Sequence, residues 1–265
     1  MTKNDLYKES FKTLVLEDIE NDNYIGEGNP NANILILGKE STNINLSELE
    51  MGEKNFNSWT KIIKNDKQVS DIKMFEDNPL FPWKGQKYGI RREAGKITGE
   101  HGTAPTWFFY QLLIDMILKK PLKTLNDFID FHEYCFHSEL NQINAKRSDL
   151  IPKEFEIKRI ESIKKREKLL FTHPFYQGFQ IVIIACGHYS KKYNFDIENT
   201  FKVKWQGSTI DTSKGNWFNI HYNLPNESPK IVIHTRQFSN GISKILIKEI
   251  AEECRNFMDK NNIQL

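Results

Sequence analysis

Asn33-Ile34-Leu35-Ile36-Leu37-Gly38-Lys39-Glu40-Ser41 decides how the rest of this 265-residue chain is read. An uninterrupted apolar run of strand length that stops at glycine marks a strand buried on both faces, as in parallel sheets. Two later stretches have the same character: Gln180-Ile181-Val182-Ile183-Ile184-Ala185-Cys186-Gly187, and Ile231-Val232-Ile233 running into His234-Thr235-Arg236-Gln237-Phe238-Ser239. A weaker strand is expected over Tyr134 to Leu140.

Helical spacing surrounds these runs. Leu6 to Ile19 reads as an amphipathic helix, and Thr103-Ala104-Pro105 opens a second helix that tolerates proline in its first turn. Lys153 to Leu170 reads as a charged surface helix, and Ile242 to Met258 carries an inward stripe of Leu246, Ile250, Cys254 and Phe257. Phe201–Trp205 and Trp217–Tyr222 alternate about Gly207 and Gly215, which predicts a hairpin. Strands alternating with helices predict an α/β protein, three-layer α/β/α with a central, mostly parallel sheet. A single domain over residues 1–265 is expected, with a long, loop-dominated insertion at about 43–102.

Composition narrows the function classes. Hydrophobic residues at 38% support a globular core, and no apolar run is long enough for a membrane helix. The first residues lack the apolar core of a secretion signal, so a cytoplasmic location is expected. Three widely spaced cysteines suit reduced thiols better than disulfides or a cluster. His132, Cys135 and His137 have metal-binding side chains, but no fourth ligand is evident, so neither metal nor cofactor is expected. Net charge is only +2, which leaves nucleic-acid affinity to local patches. One patch holds Lys84, Lys87, Arg91, Arg92 and Lys96 with Trp83 and Tyr88 interleaved, suited to phosphates and stacked bases but equally to a solvated loop.

If the strands ending at Gly38 and His234 are parallel neighbours, Glu40 and His234 meet in one crevice at the sheet's carboxyl edge, where open α/β sheets bind ligands. A carboxylate beneath a sugar and a hydrogen-bond donor at its departing base suit cleavage of an N-glycosidic bond. Each residue alone has a plainer explanation: Glu40 as a carboxylate near a helix start, His234 as a strand-end imidazole bonded to a loop carbonyl.

The same segments resemble motifs of the uracil-DNA glycosylase superfamily. Gly38-Lys39-Glu40-Ser41-Thr42 stands where that family carries Gly-Gln-Asp-Pro-Tyr or Gly-Glu-Ala-Pro-Gly, with Glu40 at the water-activating position. Cys186-Gly187-His188-Tyr189-Ser190-Lys191-Lys192 resembles Trp-Gly-Ser-Tyr-Ala-Gln-Lys-Lys, and His234-Thr235-Arg236-Gln237-Phe238-Ser239 resembles His-Pro-Ser-Pro-Leu-Ser. Gly26-Glu27-Gly28-Asn29-Pro30-Asn31-Ala32 resembles the lead-in of iron–sulfur members without their cluster cysteines.

The resemblance implies a DNA glycosylase with Glu40 and His234 as catalytic pair and a flipped nucleotide as substrate. Gly38, Lys39 and Ser41 would line the base pocket, Trp83 would stack on the base, and His137, Ser138 or Asn141 would read it. Gly187, His188, Arg236, Gln237 and Ser239, with Lys84, Arg91 and Arg92, would contact DNA, and Phe238 would enter the base stack as a wedge. Lys39, the one candidate for Schiff-base chemistry, is expected to point away from Glu40, which implies monofunctional action. The altered motifs favour a damaged or modified base, in repair or in defence against phage with modified DNA. The alternative is a nucleic-acid-binding protein that keeps the fold without catalysis.

Overall fold

A computed structural model describes residues 6–20, 22–41, 46–67, 80, 84–90, 102–144, 154–213, 215–223, 227–239 and 241–264. Nine strands appear among them: β1 (Glu27–Gly28), β2 (Ile34–Gly38), β3 (Lys87–Ile90), β4 (Gly102–Thr103), β5 (Cys135–Glu139), β6 (Ile181–Ala185), β7 (Val203–Ser213), β8 (Asn216–Asn223) and β9 (Ile231–Thr235). Strands β3 and β4 pair separately, while the other seven form one sheet in the order β1-β5-β2-β6-β9-β8-β7. The central four, β5, β2, β6 and β9, are parallel, and both edges are antiparallel. All residues of β2, β5, β6 and β9 are buried; the apolar runs of β2 and β6 fit strands covered on both sides, while β5 also buries His137, Ser138 and Glu139 and β9 buries His234 and Thr235.

Helices supply that cover. On one face Phe136 of β5 meets Phe11 of α1 (Glu9–Thr13), Trp59 of α2 (Glu48–Lys64) and Phe175 of α5 (Pro174–Gln177), with ring centroids 6.0, 6.2 and 5.2 Å apart. The adjacent residue His137 points to the opposite face, where it meets Tyr110 of α3 (Pro105–Ile117). Helix α8 (Lys244–Asn261) packs beside α3 and buries Leu246, Ile250, Cys254 and Phe257, the stripe read from sequence. Among the described residues no helix is long and apolar enough to cross a membrane.

Three expectations change. First, β2 and β9 are not neighbours, because β6 lies between them and pairs with both. Two strand spacings, roughly 10 Å, therefore separate their carboxyl ends. Second, the stretch 43–102 is not loop-dominated throughout: α2 occupies 17 residues of it. That helix starts at a capping box in which Glu50 N–H donates to Ser47 Oγ at 3.2 Å and Ser47 N–H donates to Glu50 Oε2 at 2.8 Å. Third, α4 (Glu154–Arg166) is no simple surface helix, since Arg159 and Arg166 on it are fully buried. Arg166 donates to the carbonyls of Glu139 and Tyr24 and to Ser138 Oγ, which ties α4 to the end of β5.

Gly52 shows how closely α2 is seated. A β-carbon there would lie 2.0 Å from the backbone carbonyl oxygen of Asp22. Alanine's helix propensity would favour Gly52→Ala by about 1 kcal/mol, but backbone displacement of this kind costs about 1–3 kcal/mol. The packing conflict is expected to win, and the urea midpoint of Gly52→Ala should fall below that of the unchanged protein.

Candidate active site

The chain leaves β2 toward β5 on one side, then returns past β2 to β6, from which it continues toward β9. The loops after β2 and β6 thus diverge, and the gap between their carboxyl ends is the topological switch point at which open sheets bind ligands. Lys39 and Glu40 follow β2 there. Gly187, His188, Tyr189 and Ser190 follow β6, the last two opening the short helix α6 (Tyr189–Lys192).

Glu40 is buried, and Tyr189 donates its hydroxyl to Glu40 Oε2 at 2.6 Å. Lys39 does not point away. Its ammonium lies 4.8 Å from the centroid of the same Tyr189 ring, half-buried, so both side chains converge on one tyrosine. Gly187 sits beside them at φ +60°, where a β-carbon would lie 3.7 Å from Lys39 Cε and 3.8 Å from the Gln237 nitrogen, both ordinary contacts, so glycine here serves the left-handed backbone of the turn. Burial lowers the Lys39 pKa, opposed by the Glu40 charge and reinforced by Arg159 and Arg236. Arg159 stands behind Tyr189, its guanidinium 5.5 Å from the centroids of both Tyr189 and Tyr193 and donating to Tyr193 Oη at 2.7 Å. Its Nε and Nη2 have no hydrogen-bond partner among the described residues.

His234 is the penultimate residue of β9, in register with Ile184 of β6. Its Nε2 faces the Gly187 carbonyl at 2.8 Å, so that nitrogen carries the ring proton, and Ser190 Oγ lies 3.3 Å from it. Burial pushes the His234 pKa down to about 4, only partly offset by the Gly187 carbonyl, which leaves the imidazole neutral near pH 7. Glu40 and His234 are thus joined through consecutive residues of α6, Tyr189 on the acid and Ser190 on the imidazole, rather than facing each other across adjacent strands.

Beside His234, the expected DNA contact His188 is joined by Trp217, which the sequence suggests only as a hairpin residue. The Trp217 ring crosses His234 edge-on at 5.1 Å, and exposed His188 stacks on Trp217 at 5.5 Å and 25°. The expected wedge, Phe238, is fully buried and packs against Tyr110 at 5.9 Å, because its apolar ring gains more from the core than from water. Arg236 spends its guanidinium on the loops around it, donating to the Gly215 carbonyl at 2.8 Å and the Gly241 carbonyl at 3.4 Å. Gln237 and Ser239 are half-buried. Of the basic stretch, Lys84 is half-buried, whereas Trp83, Arg91 and Arg92 lie outside the described residues, as does Lys96.

Of the three candidates on β5, Ser138 faces away from this crevice, donating to the Ile25 carbonyl and accepting from Arg166. Asn141 continues beside β2, its N–H donating to the Lys39 carbonyl at 2.9 Å and its Oδ1 accepting from Ile143. The Asn141 side-chain amide is fully buried, and its nitrogen has no partner among the described residues. His137 lies between two carboxylates, 3.5 Å from Glu27 and 3.4 Å from Glu139, and 3.4 Å from the Tyr110 hydroxyl. Burial opposes its charge, but Glu139 and Glu27 outweigh burial and hold its pKa above the ordinary value. Burial likewise pushes Glu139 up to about 7, against the pull of His137 and with Glu27 and Glu40 adding to the rise. Gly38 leaves room for this carboxylate: a β-carbon there would lie 2.2 Å from Glu139 Oε2, so the carboxylate would have to move. Among the described residues, no group of three or more His, Cys, Asp or Glu side chains could hold a metal ion. No known family model matches the chain, and no curated protein is detectably similar to it.

The two kinds of buried titratable group pull stability in opposite directions with pH. Glu139 holds its proton more tightly folded than unfolded, so that contribution is full below its ordinary 4.5 and is lost as pH rises through about 7. His234 behaves oppositely: its contribution is full above 6.5 and is lost as pH falls through about 4. Glu139→Gln should therefore lose less stability than the unchanged protein between about pH 5 and about pH 8, measured as urea midpoints across that range.

Proposed function

We propose that the protein is a DNA glycosylase of the uracil-DNA glycosylase type, hydrolysing the N-glycosidic bond of a modified or damaged nucleotide flipped into the β2–β6 crevice. The observation that carries this reading is Glu40 itself: a buried carboxylate at the switch point, oriented by Tyr189, with a neutral imidazole two strands away. Glu40 supplies negative charge beneath the sugar as its anomeric carbon becomes cationic, and orients the attacking water. His234 carries its proton on Nε2 and would exchange the Gly187 carbonyl for the departing base, offering a hydrogen bond to developing negative charge without surrendering a full proton. The leftover Asn141 amide donor suits recognition of a base carbonyl, since a buried donor gains most when a ligand satisfies it. His188 stacked on Trp217 offers aromatic surface at the rim, a role the buried Phe238 cannot fill without leaving the core.

Two observations favour a second reading, a nucleic-acid-binding protein without catalysis: the His234 donor is already occupied by Gly187, and Phe238 is committed to the core. An abasic-site assay separates them. Duplexes bearing uracil, oxidised or alkylated bases, or hypermodified cytosines are incubated with the protein and then cleaved with alkali. A glycosylase yields strand breaks at one of these bases, and Glu40→Gln should slow their appearance by about 10²–10⁴-fold with DNA binding retained. DNA retention without abasic sites on any substrate would support the binding protein instead. His234→Ala should lower the single-turnover excision rate by about 10²-fold or more at saturating protein, whereas a loss confined to affinity would assign it contact rather than chemistry.

A further inference from the structure

We propose that Lys39 is a Schiff-base nucleophile and that the protein cleaves abasic DNA as a second activity, with the lysine amine and the Glu40 carboxylate working side by side at the β2–β6 crevice. The inference rests on the glycosylase reading for its substrate, but on separate side-chain geometry for its chemistry. Lys39 was expected to face away from Glu40, and it does not: both converge on Tyr189, one on the ring face and the other on the hydroxyl. The Lys39 ammonium makes no hydrogen bond or ion pair among the described residues, and its one contact of note is the aromatic face. Structural lysines at buried positions look different. Lys230, at the opposite edge of the sheet just before β9, donates to the Gln177 carbonyl at 2.8 Å and is spent there.

Burial of Lys39 favours the unprotonated amine, the form that attacks carbonyl carbon, and the neighbouring Arg159 and Arg236 act in the same direction against Glu40. Gly187, in the turn after β6, lies beside the lysine, with its β-carbon position 3.7 Å from Lys39 Cε and 3.9 Å from Nζ. The amine nitrogen attacks C1′ of the ring-opened sugar aldehyde, and the carbinolamine expels water to leave an iminium. That cation acidifies the C2′ hydrogen, which the Glu40 carboxylate accepts. The released electron pair forms the C2′–C3′ double bond as the 3′ C–O bond breaks and the phosphate departs. Water then hydrolyses the imine, returning the lysine amine and an unsaturated aldehyde on the cleaved strand. Every electron stays within the sugar and its leaving group, and no oxidant or reductant enters.

The test uses the full chain and a duplex in which one abasic site has been generated beforehand, so excision by this protein is bypassed. Borohydride is added to reduce any imine to a stable secondary amine. A covalent protein–DNA adduct that maps by peptide mass spectrometry to Lys39 is expected, and Lys39→Arg, which keeps the charge but cannot form the imine, should reduce adduct and strand cleavage by about tenfold or more. Absence of adduct from the unchanged protein, or an adduct that maps to another amine, overturns the proposal; this mapping needs no variant to fold. Base excision from intact DNA without any adduct would overturn the lysine chemistry and keep the glycosylase reading. An adduct at Lys39 with no excision of any base would keep the lysine chemistry and remove that reading.

Discussion

The hydrogen bond from Tyr189 to Glu40, 2.6 Å long and buried, is the tie on which the site depends. Strands β2 and β9 never touch, so whatever brings an acid after one into register with an imidazole on the other has to come from the strand between them. The turn after β6 does this with four residues. Its glycine accepts from His234 and takes the left-handed backbone of the turn, its tyrosine orients Glu40, and its serine reaches His234. The turn is anchored in turn by Gly187 N–H donating to the Thr235 carbonyl at 2.9 Å, a bond that extends the β6–β9 ladder by one step. A site assembled this way rests directly on the hydrogen-bond ladder of the parallel strands beneath it.

A second polar layer lies beneath that crevice and was not visible in the chain's local pattern. Glu27, His137 and Glu139 come from β1 and β5, and they meet because Glu27 pairs opposite His137 while Glu139 pairs opposite Gly38. Tyr24 donates to Glu27 at 2.5 Å and Tyr110 closes the other side. A lone buried carboxylate would be strongly disfavoured, whereas an imidazole between two of them lets one positive charge be shared and leaves one proton to move. This explains why Gly38 ends β2: no side chain can stand there without displacing the Glu139 carboxylate.

The strands and the final helix were legible because their burial is written as local periodicity, and Leu246, Ile250, Cys254 and Phe257 fell inward as their spacing dictates. Strand order was not legible. Three apolar runs of similar length do not say which of them lies in the middle, and that choice turned an assumed direct acid–imidazole pair into one bridged through α6. Helix α2 was legible in principle, since Ser47 and Glu50 form a capping box ahead of Met51, Asn55, Trp59 and Ile62; its polar residues and Gly52 hid the stripe. Phe238 was misplaced for a different reason. Arginine, asparagine and glycine around it describe a loop, but a loop's composition does not say which of its rings turns inward to a partner such as Tyr110, contributed by a distant helix. Glu40, Lys39 and His234 were singled out by their places at strand ends and by motif resemblance, whereas the contacts with Tyr189, Ser190 and Arg159 are visible only in the tertiary structure.

Arg159 fixes the electrostatic character of the whole arrangement. A guanidinium with no exposed surface and two nitrogens, Nε and Nη2, lacking hydrogen-bond partners among the described residues is expensive, of order several kcal/mol if nothing answered it. Its hydrogen bond to Tyr193 returns about 1.5–3 kcal/mol, and two aromatic faces at 5.5 Å add about 2 kcal/mol each when desolvated. Those contributions offset much of the penalty, and the Glu40 charge, which also favours the charged guanidinium, supplies a further share. The acid thus favours the charged arginine across Tyr189. The link runs through the aromatic layer: Tyr189 donates its hydroxyl to Glu40 Oε2 and lies with its ring centroid 5.5 Å from the Arg159 guanidinium, so one tyrosine touches both acid and cation.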